Sequence, residues 1–479
     1  MRSNASMPAS ETDAMPIGWS SCDITPERPV LLSGQFHARI STGVRDPITA
    51  TALAIGEPDC DRQAVLVSCD LLWFPDHVYE ALKRRLASSA PGLNPDHVIV
   101  CGTHTHTAPE LFDDVYPEPP AGTMTPAEYR EFMVGRLAET VAEAWRKRGP
   151  GAASWALGHA VVGLNRRPCY ADGSAVMYGQ VDRPDFIGFE GGCDHGVDLL
   201  FTWTPAGRLT GVVVNLACPS QETEGLAEVS ADFWHEARTA IRERFGKRLF
   251  VLPQCSAAGD QSPHPVICKR AEQATLERRR LDSRRAIGLR IAGAVEEALP
   301  AAKAGLTVSA PVRQVVRTLA LPRRAVTEAE AAAARSKVEE LDKILPASPA
   351  GLATDARLSS AWTQRRWHRR VAERFDEVKT APTRSMELHA LRVGDVAFAT
   401  NPFELYLDYG LRIKAGSPAV QTFVVQLACG AGGWDGYLPT ARAVAAGSYS
   451  AIPQSSDVGP EGGQVLVEET LAALREIWA

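Results

Sequence analysis

Two short apolar segments on either side of one helical segment constrain the fold of this chain more than any other feature. Residues 63–70 (Gln-Ala-Val-Leu-Val-Ser-Cys-Asp) and 98–101 (Val-Ile-Val-Cys) have the length and β-branched content of buried strands. Between them, residues 75–88 repeat apolar side chains at helical spacing. A strand, a helix and a second strand in this order predict a βαβ unit with parallel strands, whose functional groups lie at the carboxyl ends of the strands.

The rest of the chain alternates strand-like and helical segments. We therefore predict an α/β fold with a mixed, largely parallel sheet covered by helices. Residues 197–203 and 211–216 predict a β-hairpin because only a short turn separates them. Residues 322–380 are rich in Ala, Glu, Arg and Lys and predict an inserted helical hairpin, which would serve in oligomer contacts or as a lid. We expect residues 1–16 to be a disordered leader and residues 17–479 to form one domain.

The composition excludes several classes of protein. The 479 residues are 45% hydrophobic and 23% charged, as in a globular protein with a large core. The formal net charge of −6 disfavours nucleic acid as the main partner. No apolar run is long enough to predict a membrane span, and the amino terminus does not resemble a secretory signal. Ten scattered cysteines without a Cys-x-x-Cys pair are typical of reduced thiols, so we expect a cytoplasmic location. We also expect a small-molecule substrate.

Side chains suited to metal binding or proton transfer follow the second strand of the βαβ unit. After Gly102 the chain reads Thr-His-Thr-His, with Glu110 four residues later. In an extended segment His104 and His106 would project from the same face, a common start for a metal or acid–base site. Taken alone, the His-x-His pattern is more often part of a polar loop.

Other polar residues stand at predicted strand ends or turns. They are Ser262 in the turn 259–264, Glu404 at the predicted start of a helix, and Tyr437 after a glycine-rich turn. Ser262 lacks the Gly-x-Ser-x-Gly neighbours of an α/β-hydrolase nucleophile. Arg166 and Arg167 would stabilise an oxyanion or bind a carboxylate, with at least one of the two expected to face solvent.

Taken in chain order, these motifs resemble the catalytic domain of the neutral/alkaline non-lysosomal ceramidase family. The resemblance runs from residue 17 to the carboxyl terminus. It is carried by Asp23-Ile-Thr-Pro26, Gly102-Thr-His-Thr-His106, Asn165-Arg166, Gly259-Asp-Gln-Ser-Pro263, Glu404 and Gly436-Tyr-Leu-Pro-Thr440. It implies a zinc hydrolase that cleaves an amide bond. By position it implies His104, Glu404 and Tyr437 as metal ligands.

The same resemblance assigns four further residues to the site. His106 corresponds to a histidine that assists the reaction, and Arg166 to an arginine that holds the developing oxyanion. Ser262 corresponds to a serine involved in catalysis or substrate binding, and Tyr449 to a further active-site tyrosine. The sequence shows no immunoglobulin-like carboxyl-terminal domain of the ceramidase type, so we expect a small soluble substrate in place of ceramide.

One ligand of the family is missing from this chain. Pro219 stands where a second zinc histidine would follow the strand 211–216, and proline cannot bind a metal. The sequence leaves four replacements open, which are His195, Gln221, Cys218 and His235. We favour His195 because it stands at the start of a neighbouring strand. A different divalent metal, or none, also remains open.

Three functions compete at this stage. The first is a metal-dependent hydrolase of the amidohydrolase class, with zinc or another divalent cation, acting on an amide, ester or lactone. The second is a non-catalytic binding or assembly protein, with a homo-oligomer formed through the hairpin 322–380. The third is a metal-dependent isomerase or lyase acting on a sugar-like substrate.

Overall fold

The computed structural model describes residues 14–57, 61–348, 351–429 and 436–479. The helices in these ranges are α1 (Asp76–Ser89), α2 (Pro126–Arg146), α3 (Phe233–Phe245), α4 (Lys269–Arg279), α5 (Ser283–Ala304), α6 (Glu328–Asp342), α7 (Ala356–Thr380), α8 (Leu407–Gly416), α9 (Ala441–Ala446) and α10 (Pro460–Trp478). The strands are β1 (Met15–Asp23), β2 (Leu31–Leu32), β3 (Arg39–Ile40), β4 (Gly43–Val44), β5 (Thr49–Gly56), β6 (Gln63–Cys69), β7 (Val98–Gly102), β8 (Gly149–His159), β9 (Leu164–Asn165), β10 (Pro168–Tyr170), β11 (Phe186–Phe189), β12 (Gly196–Trp203), β13 (Leu209–Leu216), β14 (Glu228–Val229), β15 (Phe250–Cys255), β16 (Gln261–Ser262), β17 (Val312–Pro322), β18 (Thr383–Val393), β19 (Val396–Thr400), β20 (Glu404–Leu405), β21 (Gln421–Val425) and β22 (Tyr437–Leu438).

The larger sheet has eight strands in the order β15-β13-β12-β8-β1-β5-β6-β7. The predicted mixed α/β class is confirmed, and so is the βαβ unit, which is β6, α1 and β7. The sheet is nevertheless mainly antiparallel. Only β6 with β7 and β13 with β15 pair in parallel, while the other five pairings are antiparallel.

The prediction of a largely parallel sheet was therefore wrong, and the connections explain why. A parallel pairing of neighbouring strands needs a crossover long enough to hold a helix. Helix α1 lies between β6 and β7, and α3 lies between β13 and β15. The strands β12 and β13 are joined by a short turn, as predicted, and pair as a hairpin.

A second sheet, β17-β18-β19-β21, packs on the first. Leu200 and Val213 of the first sheet share a core with Phe398 and Phe423 of the second. Because side chains alternate along a strand, Leu199 next to Leu200 faces the other way, into a core with α3 and α5. Helices α8 and α10 pack on the second sheet. These layers form a helix–sheet–sheet–helix arrangement.

Helices α6 and α7 occupy the predicted hairpin segment, between β17 and β18. They pack together through Ala331, Ala334 and Val371. The predicted leader 1–16 lies outside the described residues except for its last three. Of these, Met15 and Pro16 belong to β1 and pair with β8, so the first strand begins before residue 17, where the domain was predicted to start. No helix in the described ranges combines the length and apolarity that a membrane crossing requires.

Candidate functional site

The two histidines leave the end of β7 at one edge of the larger sheet. The strand ends at Gly102, and His104 then takes a left-handed backbone conformation with φ of 65°. The backbone N–H of His104 donates to the carbonyl of Leu71 at 2.9 Å. The segment was predicted to be extended, and this was wrong because His104 is left-handed. The two rings nevertheless meet, with 3.3 Å between the Nε2 atoms of His104 and His106. A left-handed non-glycine residue costs about 1 kcal/mol or more, and such strain is concentrated at functional sites.

Glu404 reaches the same point from the second half of the chain. Its Oε2 lies 3.3 Å from His104 Nε2. Glu404 was predicted to stand at the start of a helix, but it belongs to strand β20. This strand pairs in parallel with β22 and places Glu404 beside Tyr437. Helix α8 begins only at Leu407, whose N–H donates to Asp260 at 2.9 Å. The pairing of β20 with β22 thus brings both the Glu404 carboxylate and the Tyr437 phenol close to the two histidines.

Arg166 is fully enclosed by the site. Its Nη1 donates to Gln221 Oε1 at 2.9 Å and to the hydroxyl of Tyr178 at 3.1 Å. Its Nη2 donates to the carbonyl of Gly259 at 3.0 Å and to the Tyr437 hydroxyl at 3.4 Å, and lies 3.9 Å from Glu404 Oε2. The guanidinium therefore faces the histidine–carboxylate cluster with a fixed orientation.

These contacts determine where the protons are on His106. Arginine can only donate, so Gln221 presents its oxygen to Arg166 and its amide nitrogen to His106. That nitrogen donates to His106 Nε2 at 2.8 Å. Burial, followed by the positive neighbours His104, Arg39 and Arg166, lowers the pKa of His106 well below its usual value. His106 is therefore neutral, with a lone pair on Nε2.

The same reasoning applies to His104. Its Nδ1 lies 3.1 Å from the carbonyl of Leu72, which can only accept, so Nδ1 carries the proton. In its neutral form His104 then has a lone pair on Nε2, aimed between His106 Nε2 and Glu404 Oε2. When both imidazoles are neutral, three acceptor atoms therefore converge without a proton between them. A cation, or a second proton on His104, would resolve this conflict.

The donor set fits a cation only if Tyr437 takes part. Among the described residues, no three His, Cys, Asp or Glu side chains form a group that could hold a metal ion. Tyr437 lies opposite Glu404 in the pairing of β20 with β22 and adds a phenol oxygen to the imidazole of His104 and the carboxylate of Glu404 at the cavity. Burial raises the pKa of Tyr437 well above its usual value, so the phenol keeps its proton when no cation is bound.

Gln221, which follows Pro219 in the chain, lies between His106 and Arg166. Gln221 was one of the four replacements left open by the sequence, and it is the one that contacts the cluster. No hydrogen bond, ion pair or cavity wall in the described part of the chain joins His195, the favoured candidate, to His104 or Glu404. The carbonyl of His195 instead accepts the N–H of Ala160.

Ser262 stands one layer behind the cavity. Its hydroxyl accepts from the Tyr178 hydroxyl at 3.0 Å and from the backbone N–H of His264 at 3.0 Å. Tyr178 in turn accepts from Arg166, so Ser262 reaches the site only through that residue. Tyr178 was not among the residues predicted from the sequence. Its left-handed φ of 55° is a structural signal that no sequence pattern announces.

One further expectation is corrected by burial. Arg167 and Arg166 are both buried, whereas one of them was expected in solvent. Arg167 pairs with Glu190 at 2.7 Å and donates to the carbonyl of Tyr449, so it supports the site from behind. Glu110 accepts from the hydroxyl of Ser33 and from two backbone N–H groups, and it lines the same cavity as the two histidines.

A cavity with about 650 Å³ of empty space, partly open to solvent, contains the cluster. The site residues that line it are His104, His106, Glu404, Tyr437 and Tyr449, joined by Trp367 from the helical hairpin. The rings of Tyr437 and Tyr449 meet edge to face at 5.5 Å. Of the eight predicted site residues, five therefore line one cavity, Arg166 faces it, Ser262 lies behind it and His195 lies apart.

Comparison with solved structures identifies the fold. No protein-family model and no curated protein matches the chain. A structure described as ceramidase complexed with C2 matches 97% of this chain and 75% of its own, with a TM-score of 0.67 and 17% identity. The neutral ceramidase from Pseudomonas aeruginosa matches the same shares with a TM-score of 0.67 and 18% identity. At such identity the likeness establishes the fold alone, and the ceramidase-like fold predicted from the motifs is confirmed.

Proposed function

We propose that this protein is a hydrolase of a carbon–nitrogen amide bond, or of a related ester or lactone, and that it depends on a divalent cation, with zinc the first choice. The observation that carries the proposal is the convergence of three buried side chains: His104 Nε2 lies 3.3 Å from Glu404 Oε2 and 3.3 Å from His106 Nε2. The ceramidase-like fold supports the same reaction class. The residues that would hold the cation are His104, Glu404 and Tyr437.

A cation bound there would polarise a carbonyl and lower the pKa of a bound water to near neutrality. The chain itself contributes the other parts of the reaction. Arg166 Nη2, whose bond to the Tyr437 hydroxyl is long at 3.4 Å, would turn that N–H toward the carbonyl oxygen as negative charge develops on it, while its contacts to Gln221 and Gly259 hold the guanidinium in place. Tyr449 lines the cavity beside Tyr437 and packs edge to face on its ring.

His106 is the proposed proton carrier, under one condition. Water adds its oxygen to the carbonyl carbon, the carbon–nitrogen bond breaks, and the leaving nitrogen takes up a proton. The Gln221 amide donates to the lone pair on His106 Nε2, so His106 can accept a proton from water only after this hydrogen bond has broken. Gln221 therefore holds His106 neutral and oriented until substrate displaces the amide.

The test combines metal analysis with a substrate panel. We expect about one divalent ion for each purified chain, and loss of hydrolysis of soluble amides, esters or lactones on chelation. Hydrolysis in isotopically labelled water should place the label in the carboxylate product, which an isomerase or lyase would not do. A protein that binds no divalent ion, is unaffected by chelator and incorporates no label would contradict the proposal.

Ser262→Ala is expected to lower kcat by about tenfold or less, because Ser262 acts only through Tyr178 on the orientation of Arg166. A nucleophilic serine would instead lose activity by several orders of magnitude. Steady-state kinetics on the panel substrate distinguish the two. Tyr178→Phe is the companion variant, and a decrease similar to that of Ser262→Ala would place both in one hydrogen-bond chain. A complete loss for Ser262→Ala alone would restore the nucleophile interpretation.

A further inference from the structure

Helix α7 of the inserted hairpin forms part of the cavity wall. Thr363, Arg366 and Trp367, on consecutive turns of α7, line the same space as His104 and Glu404. A segment inserted between β17 and β18 thus reaches the site built by β7 and β20. The hairpin therefore belongs to the binding site as well as to the scaffold.

Trp367 is part of a continuous series of rings, here called the aromatic wall, which consists of Phe36, Trp367, Tyr449 and Tyr437. The ring of Trp367 lies 5.3 Å from that of Phe36 and 6.0 Å from that of Tyr449. Phe36 meets Tyr449 at 5.6 Å, and Tyr449 meets Tyr437 at 5.5 Å. These separations are those at which aromatic rings attract one another. The wall leads from the hairpin to Glu404.

Contacts on both sides hold α7 in place over the cavity. Arg366 makes two bonds to Asp114, at 2.9 and 3.1 Å, and Ser359 accepts the backbone N–H of Ala38. Toward the other side, Arg374 donates to the carbonyls of Pro453 and Ser456 at 2.8 and 2.9 Å. A wall fixed in this way limits the size of the group that can lie against it.

We propose that the aromatic wall selects the substrate, and that Trp367 is the residue that determines this specificity. The substrate class is an amide or ester in which a compact aromatic group lies next to the scissile bond. Long unbranched alkyl chains are disfavoured because they have no ring to pack against the rings of the wall. The inference rests on the proposed function for the position of the scissile bond, and on the cavity alone for the binding preference.

The test uses two 4-nitroanilides, phenylacetyl and decanoyl, with the full-length protein in its metal-loaded form. Trp367→Ala should lower kcat/KM for the phenylacetyl compound by about tenfold, mainly through a higher KM. For the decanoyl compound, kcat/KM should decrease by a smaller factor or increase. Trp367→Phe keeps a ring and should stay within about threefold of the wild type. Trp362→Ala is the matched control, because Trp362 lies on the same helix and does not line the cavity. An unchanged ratio of the two kcat/KM values in folded Trp367→Ala would overturn the inference.

Calorimetric binding of phenylacetamide and decanamide separates this inference from the proposed function. Tighter binding of phenylacetamide that is lost in Trp367→Ala would support the wall even if the protein hydrolysed neither anilide. That combination would contradict the proposed hydrolysis and leave the binding preference standing. Equal binding of the two amides, or binding of neither, would overturn the inference whatever the activity.

Discussion

His104→Ala and Glu404→Gln are expected to lower hydrolysis by about 10³-fold or more and to remove the bound metal, because both atoms of the 3.3 Å contact are ligands in the proposed site. The glutamine variant has a second expected property. Its amide N–H can donate to His104 Nε2, so it satisfies a lone pair that a carboxylate leaves without a proton. Metal-free Glu404→Gln should therefore be at least as stable to heat as the metal-free wild type. Metal content and thermal unfolding measure both effects.

Two other histidines serve as controls for this prediction. His195 and His235 were candidates for the missing ligand in the sequence, and neither lines the cavity. His195→Ala and His235→Ala should keep the metal and most of the activity. Loss of metal in His195→Ala would show that the bound state differs from the arrangement described above, with His195 completing the coordination.

Arg166→Met is expected to lower kcat by about 10²–10³-fold, the typical cost of removing one oxyanion donor. The substitution also leaves Gln221 Oε1 and the carbonyl of Gly259 without their donor. With that oxygen free, the Gln221 amide is no longer held in one orientation, so its hydrogen bond to His106 weakens. The expected signature is a decrease in kcat that exceeds any change in KM, measured by steady-state kinetics on the panel substrate.

The matched control for Arg166→Met is Arg238→Met, which removes another buried guanidinium. Arg238 pairs with Asp70, the residue after β6, through two bonds at 2.8 and 2.9 Å, and neither residue lines the cavity. Leaving Asp70 unpaired should cost about 3–5 kcal/mol in the free energy of unfolding, with kcat of the folded protein retained. If the two variants lost kcat to the same extent, the effect of Arg166→Met would be general destabilisation, and the oxyanion role would be wrong.

Much of the fold followed from local patterns. The β6–α1–β7 unit and the β12–β13 hairpin were predicted because apolar periodicity and turn length are local properties of a sequence. The direction of most strand pairs was not predicted correctly. Pairing partners such as β1 with β5 and β8 are chosen by the packing of distant segments, and a strand pattern does not specify its neighbour.

The site divides in the same way. The sequence by itself determined the chemical types in the site: two histidines after β7, a carboxylate at residue 404, a tyrosine at residue 437, and a proline where a histidine was expected. Only the tertiary structure decided which groups meet. Gln221 lies between His106 and Arg166 because the chain after β13 passes beside them, and Trp367 enters the cavity because α7 is held across it. Both are contacts between segments far apart in the chain, and such contacts depend on packing, which no local pattern encodes.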